Sequence, residues 1–144
     1  MTFAFLAALA MQGLPVPTPP LPTPARPALP APDLPGWQRL GGGASGEFAV
    51  WPQSIRRTGN EVNAVIRLDV TSGARTGARV LGVIHYVFNC RTNSFRLEAG
   101  DLYNSSGQYR AAAPLTPDMR RDQPVPPGTP NAVVRDHLCR GQGQ

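Results

Sequence analysis

Two cysteines, Cys90 and Cys139, and two histidines, His85 and His137, are the only side chains of the 144-residue sequence able to act as a thiolate nucleophile or an imidazole base, and they are the cysteine and histidine ligands a zinc site would draw on. Four readings stand open for Cys90. A catalytic thiolate needs a base within hydrogen-bond reach. His85 lies five residues upstream in an alternating apolar run, and on a strand that separation turns the two side chains to opposite faces. His137 reaches Cys90 only if a C-terminal helix docks beside it. A zinc site of His85, Cys90, His137 and Cys139 has suitable ligand types, but no two cysteines and no two histidines stand at the spacing of a structural zinc knuckle. Positions 137 and 139 also diverge by about 200° around a helix.

The remaining readings are an unpaired buried thiol and a bridge to Cys139. An even cysteine count, an N-terminal segment of secretory type and a small core favour the bridge, which is the expected state. Closing the loop from 90 to 139 restricts the unfolded chain by about 4 kcal/mol in the chain-entropy model.

Other patterns fail on spacing. GGGASGEF is rich in glycine but lacks the Lys-Ser/Thr ending of a phosphate loop. Ser45 does not sit in G-x-S-x-G, because position 47 is Glu. Glu98 and Asp101 are expected at a solvated strand end beside a turn. Asn104-Ser105-Ser106 matches a glycosylation sequon by chance, next to a turn. Tyr86, Phe88, Phe95, Tyr103 and Tyr109 fall mostly at core-facing positions, which favours packing over base stacking.

The elements that position these residues are strands. Trp37 and Leu40 precede a glycine-rich turn, and Glu47 to Trp51 alternates as a first strand ended by Pro52. Val62, Ala64, Ile66, Leu68 and Val70 share one face of a second. In RVLGVIHYVFNC, Val80, Ile84, Tyr86, Phe88 and Cys90 share one face and Leu81, Val83, His85 and Val87 the other, so this is a central strand covered on both sides. Thr92-Asn93 turns the chain into a strand with Phe95, Leu97 and Ala99 on one face. Gly100-Asp101 punctuates, and Gln108 to Ala113 forms the last strand. GTPNAVVRDHLC reads as a helix with Thr129 as N-cap, Pro130 in its first turn, and Val134 and Leu138 on one face. The expected fold class is α+β: an antiparallel meander sheet of four to five strands packed against one C-terminal helix, with a Cys90–Cys139 disulfide.

Composition bounds the rest. Ten prolines lie between Leu14 and Gly36 without apolar periodicity, as in an extended linker. The expected organisation is a shortened signal segment at 1–13, a proline-rich disordered linker at 14–36, one domain at 37–140 and a disordered tail at 141–144. The segment MTFAFLAALAMQG falls short of the roughly 20 residues that span a bilayer, and Ala8-Leu9-Ala10 offers a small-residue cleavage site. The net charge is +5, and every basic residue is arginine. The arginines are scattered rather than massed in a stripe, so no nucleic-acid partner is expected.

The ordered segments GWQRL, FAVWPQSI, RRTGNEVNAVIRLDV, YVFNCRTNSFRL, YNSSG and PNAVVRDHLC resemble the surface-adhesin protein E family of bacterial envelope proteins, over about 36–140. The sequence departs from that pattern at QPVPPGTP, which carries no aromatic residue. The resemblance implies an exported, disulfide-linked, non-enzymatic domain without a cofactor, placed in the periplasm or at the cell surface. It also implies an envelope or extracellular-matrix protein as partner, and it carries over no binding residue. Two alternatives belong to other classes. One is a small exported enzyme or enzyme inhibitor acting through the arginine-containing loop Arg75 to Arg79. The other is a nonspecific nucleic-acid binder.

Overall fold

The computed structural model describes residues 13, 15–20, 28–43, 46–71 and 79–140. Residues 1–12 of the expected signal segment, residues 14 and 21–27 of the expected linker, most of the Arg75 to Arg79 loop, Ser45 and the C-terminal tail lie outside them.

Eight strands form one antiparallel sheet: β1 (Gln38–Gly43), β2 (Gly46–Val50), β3 (Arg56–Thr58), β4 (Glu61–Thr71), β5 (Arg79–Asn89), β6 (Ser94–Tyr103), β7 (Tyr109–Ala112) and β8 (Gln123–Pro124). The order is β1-β2-β4-β5-β6-β7, with β3 also on β4 and β8 also on β6. The sheet therefore has eight strands, not four to five. The additions are β1, β3 and β8, and each is short or lacks an alternating apolar pattern. The expected glycine-rich turn is largely β1. There the missing side chain matters most at Gly42, where a Cβ would come within 2.9 Å of the Gly46 carbonyl oxygen.

One helix, α1 (Pro130–Cys139), covers the first face of the sheet with Ala132, Val134 and Leu138 buried. They pack with Val50, Val62, Ala64, Ile66, Tyr86 and Phe88 in one apolar core. Burial of Tyr86 there pushes its phenol up to about 12. The helix begins as its sequence requires. Thr129 is extended and its side-chain oxygen accepts from the Ala132 N–H, while its hydroxyl donates to the Pro126 carbonyl at 2.6 Å. Replacing Thr129 by Ala is expected to cost about 1 kcal/mol, measured by urea unfolding, because both bonds are lost. At the other end Arg57 of β3 donates to the Leu138 carbonyl at 2.6 Å, placing a cation at the negative end of the helix.

β5 is central and buried on both faces, with Phe88 and Val83 each fully inaccessible. Its partner β6 breaks the expected alternation. His85 pairs with Ala99 and Tyr86 with Leu97, so Glu98 is an extra residue in the ladder. This bulge moves Ala99 to the face opposite Phe95 and Leu97, correcting the single face expected for all three. Gly100 and Asp101 continue β6 instead of ending it, and Asp101 is buried rather than solvated. Tyr103 and Tyr109 meet edge to face away from the aromatic group of Tyr86, Phe88 and Phe95, and Tyr109 is 60% exposed. Among the described residues no helix is long and apolar enough to cross a membrane.

Candidate functional site

The structure separates the residues first suspected of chemistry. Cys90 leaves the end of β5 on the helix side and is joined to Cys139 in the last turn of α1, their Cα atoms 5.6 Å apart. Neither is a thiolate. His85 points from the opposite face, as the strand period demands, and His137 stays on the helix. Among the described residues no group of three or more His, Cys, Asp or Glu side chains could hold a metal ion. Arg79, the described end of the arginine-containing loop, is engaged by Asp69, to which its Nε donates at 2.7 Å.

Among the described residues a concave feature lies on the second face. Odd positions of β4 and β5 build it: Asn63, Val65 and Arg67 beside Val83, His85 and Val87, which the register sets opposite one another. The last residues of the proline-rich stretch lie across this face as a strap. Ala31 to Leu34 forms a turn, with the Leu34 N–H donating to the Ala31 carbonyl at 3.3 Å, and Pro32 is buried. Two side chains of the domain hold the turn. The Trp37 indole N–H donates to the Ala31 carbonyl at 3.1 Å. The Arg67 guanidinium donates to the Pro32 carbonyl at 2.8 Å. Arg67 also lies over the Trp37 ring, 5.4 Å from its centre, and Trp37 packs against Trp51 at 5.2 Å. Gly36 has φ of +112°, and a Cβ there would touch the Trp51 ring. None of this was legible from the absent periodicity of the proline stretch. The signal that could have found it was the tryptophan immediately after.

Beside the turn the strap and sheet enclose an open cleft of about 700 Å³. Leu29 and Pro30 form one wall, and Trp51, Val65, His85 and Ala99 the floor and far side. Polar groups at its margin include Arg56, Gln53 and Asn63, whose side-chain oxygen is 3.1 Å from His85 Nε2. The cleft lining carries no carboxylate, and the side chain in hydrogen-bond reach of His85 is the Asn63 amide. Further along this face Arg96 gathers three carboxylates, Glu61 at 2.9 Å, Glu98 at 3.2 Å and Asp122 at 3.3 Å. The hydrogen bond from Arg96 holds Glu61 below its usual carboxylate range, against a smaller opposing effect of burial.

The family model described as surface-adhesin protein E matches residues 37–140. The chain belongs to the surface-adhesin protein E family. No curated protein and no solved structure matches it. Family membership points to an adhesin-like binding role and to an exported or surface protein. In this surface-adhesin E chain the match begins at Trp37, so residues 28–36 lie outside the matched residues although they are packed on them.

The environment of His85 gives the domain a pH dependence. Burial lowers the His85 pKa below its ordinary 6.5, the Glu98 charge opposes this, and the Arg96 charge assists it. The neutral imidazole is thus favoured by folding. Its stability contribution is complete above 6.5 and is lost as pH falls through the folded value, because the unfolded chain binds the proton first. Titration of the His85 ring by NMR should give a midpoint in the folded chain below that of the same ring in the urea-unfolded chain. A midpoint at or above it would contradict the burial described here.

Proposed function

We propose that this chain is a non-enzymatic, exported binding module of the bacterial envelope, working without a cofactor, whose ligand is a protein of the envelope or of the extracellular matrix. The observation that carries this reading is the family match over residues 37–140. The disulfide supports it, because such bridges persist in oxidising compartments. In this reading the prolines upstream of the strap act as a semi-rigid spacer, and the domain proper is 37–140 with the strap as its N-terminal edge. At least eight of the fourteen arginines are engaged within the domain. Arg39, Arg79, Arg96, Arg121 and Arg135 pair with carboxylates. Arg56, Arg57 and Arg67 donate to backbone carbonyls.

The test is biolayer interferometry of the purified, oxidised chain against immobilised matrix proteins and envelope extracts resolved into purified components. Saturable binding to at least one defined protein, retained at 150 mM salt, is the expected result. Absence of saturable binding throughout the panel, or binding that disappears between 50 and 150 mM salt, overturns it. The second outcome is the mark of bare electrostatics. Intact mass of the exported fraction, with and without reductant before alkylation, reports the compartment: no thiol should label until reductant is added.

A further inference from the structure

We propose that the second face of the sheet is a recognition site for proline-containing peptide segments, and that residues 28–36 occupy it in cis. The inference deepens the protein-binding reading by naming a site and a partner chemistry. Its physical basis is the match between what the face offers and what a proline-rich backbone lacks. Proline has a carbonyl but no N–H, so a proline-rich segment presents surplus acceptors and needs donors from its partner.

The face supplies donors where the strap lies. Trp37 Nε1 and Arg67 Nη1 donate to the consecutive carbonyls of Ala31 and Pro32, at 3.1 and 2.8 Å. The pyrrolidine ring of Pro32 is buried between them. An indole N–H and a guanidinium beside a buried proline ring fix both the register and the identity of the occupant, through one apolar anchor and two directional bonds.

The second observation is that the present occupant does not fill the face. A cleft of about 700 Å³ lies between Leu29 and Pro30 of the strap and a floor that includes Trp51 and Val65, edged by the donors of Arg56 and Gln53. It is open and largely apolar. The third observation is the family match, which begins at Trp37. Trp37, Trp51 and Arg67 belong to the matched residues, whereas the segment they hold precedes them. The recognising side chains are therefore part of the domain, and the strap is its ligand in cis. A partner segment of the same chemistry must displace the strap or add to it along the cleft, and its apparent affinity is reduced by the fraction of molecules with the site closed.

The experiment uses the full oxidised chain and a fluorescent peptide ALPAPDLPG, the sequence of residues 28–36. Pro32→Asp expels the strap's anchor while leaving Trp37 and Arg67 in place. Fluorescence anisotropy is expected to give saturable binding to Pro32→Asp at least about tenfold tighter than to the wild-type chain, as release of a closed site requires. Adding Arg67→Gln to that variant should weaken binding by about tenfold, through loss of a charge-assisted bond. A peptide with its prolines replaced by alanine should bind more weakly.

A second measurement needs no variant. Millimolar unlabelled peptide should accelerate amide hydrogen exchange within 31–36 of the wild-type chain. Equal affinity for wild type and Pro32→Asp, indifference to Arg67→Gln, a preference for the alanine peptide, or unchanged exchange at saturating peptide each overturns the proposal. If Pro32→Asp does not fold, the exchange experiment alone decides. Failure here with matrix binding intact removes the site and leaves the proposed function. The reverse result leaves the site and removes the proposed class of partner.

Discussion

Reduction of the Cys90–Cys139 bridge, or replacement of both cysteines by serine, lowers the stability of the domain by about 4 kcal/mol, the loop-closure value for the 49-residue separation the bridge spans. For a domain of this size that corresponds to a fall in thermal midpoint of roughly 15–30 °C. The bridge joins the end of the central strand to the end of the helix that covers it, so its loss frees the element whose Leu138 and Val134 complete the core. Differential scanning calorimetry with and without reductant measures the effect. An unchanged midpoint would mean that packing of α1 alone holds the C-terminus, through Arg57 at its last turn and Arg135 against Asn93 in the β5–β6 turn.

Phe88→Ala should cost about 3–5 kcal/mol, the range for removing a fully buried aromatic ring and leaving its cavity. Phe88 is 0% exposed and packs on Tyr86, stacked at 5.4 Å, and on Phe95 at 6.1 Å, so the two remaining rings, 6.0 Å apart, cannot close the space without losing their own contact. The comparison is Tyr109→Ala. That ring is 60% exposed on the short β7, and its removal should change stability by less than about 0.5 kcal/mol. Urea unfolding with a common slope distinguishes the two, and similar costs would show that the core does not centre on β5. Combining Phe88→Ala with loss of the bridge removes most of what a small domain has, since total stabilities run at about 5–15 kcal/mol.

The parts of the fold that could be read from the sequence are those where one physical preference acts alone. β4 and β5 announce themselves by alternation, and both faces of β5 being apolar foretold a central strand. The helix could be placed from Thr129, Pro130 and the spacing of Val134 and Leu138 because cap, first turn and apolar stripe agree. The bridge followed from the cysteine count and the compartment implied upstream. What stayed hidden depends on contacts between distant residues. β1 reads as a turn because its glycines carry no pattern, and they are strand residues because they pair with Gly46 to Phe48 of β2. The bulge at Glu98, which sends Ala99 into the cleft, has no sequence mark, since a one-residue slip in a ladder is a property of two strands together. The candidate site was missed for the same reason. Its binding groups, Trp37, Trp51 and Arg67, are ordinary in isolation and acquire a role only when the strap lies across them.

The covalent link between positions 90 and 139 also sets how the molecule bears mechanical load. When tension is applied between the two flanks of the domain, force crosses from Cys90 directly to Cys139 through the sulfur bond. The hairpin arm after Cys90, β6, β7, β8 and the helix then form a closed ring that cannot be drawn out into extended chain. Only the chain before Cys90, strands β1 to β5 included, can be drawn out, and the part of the sheet carried within the ring stays attached at the end of the pull.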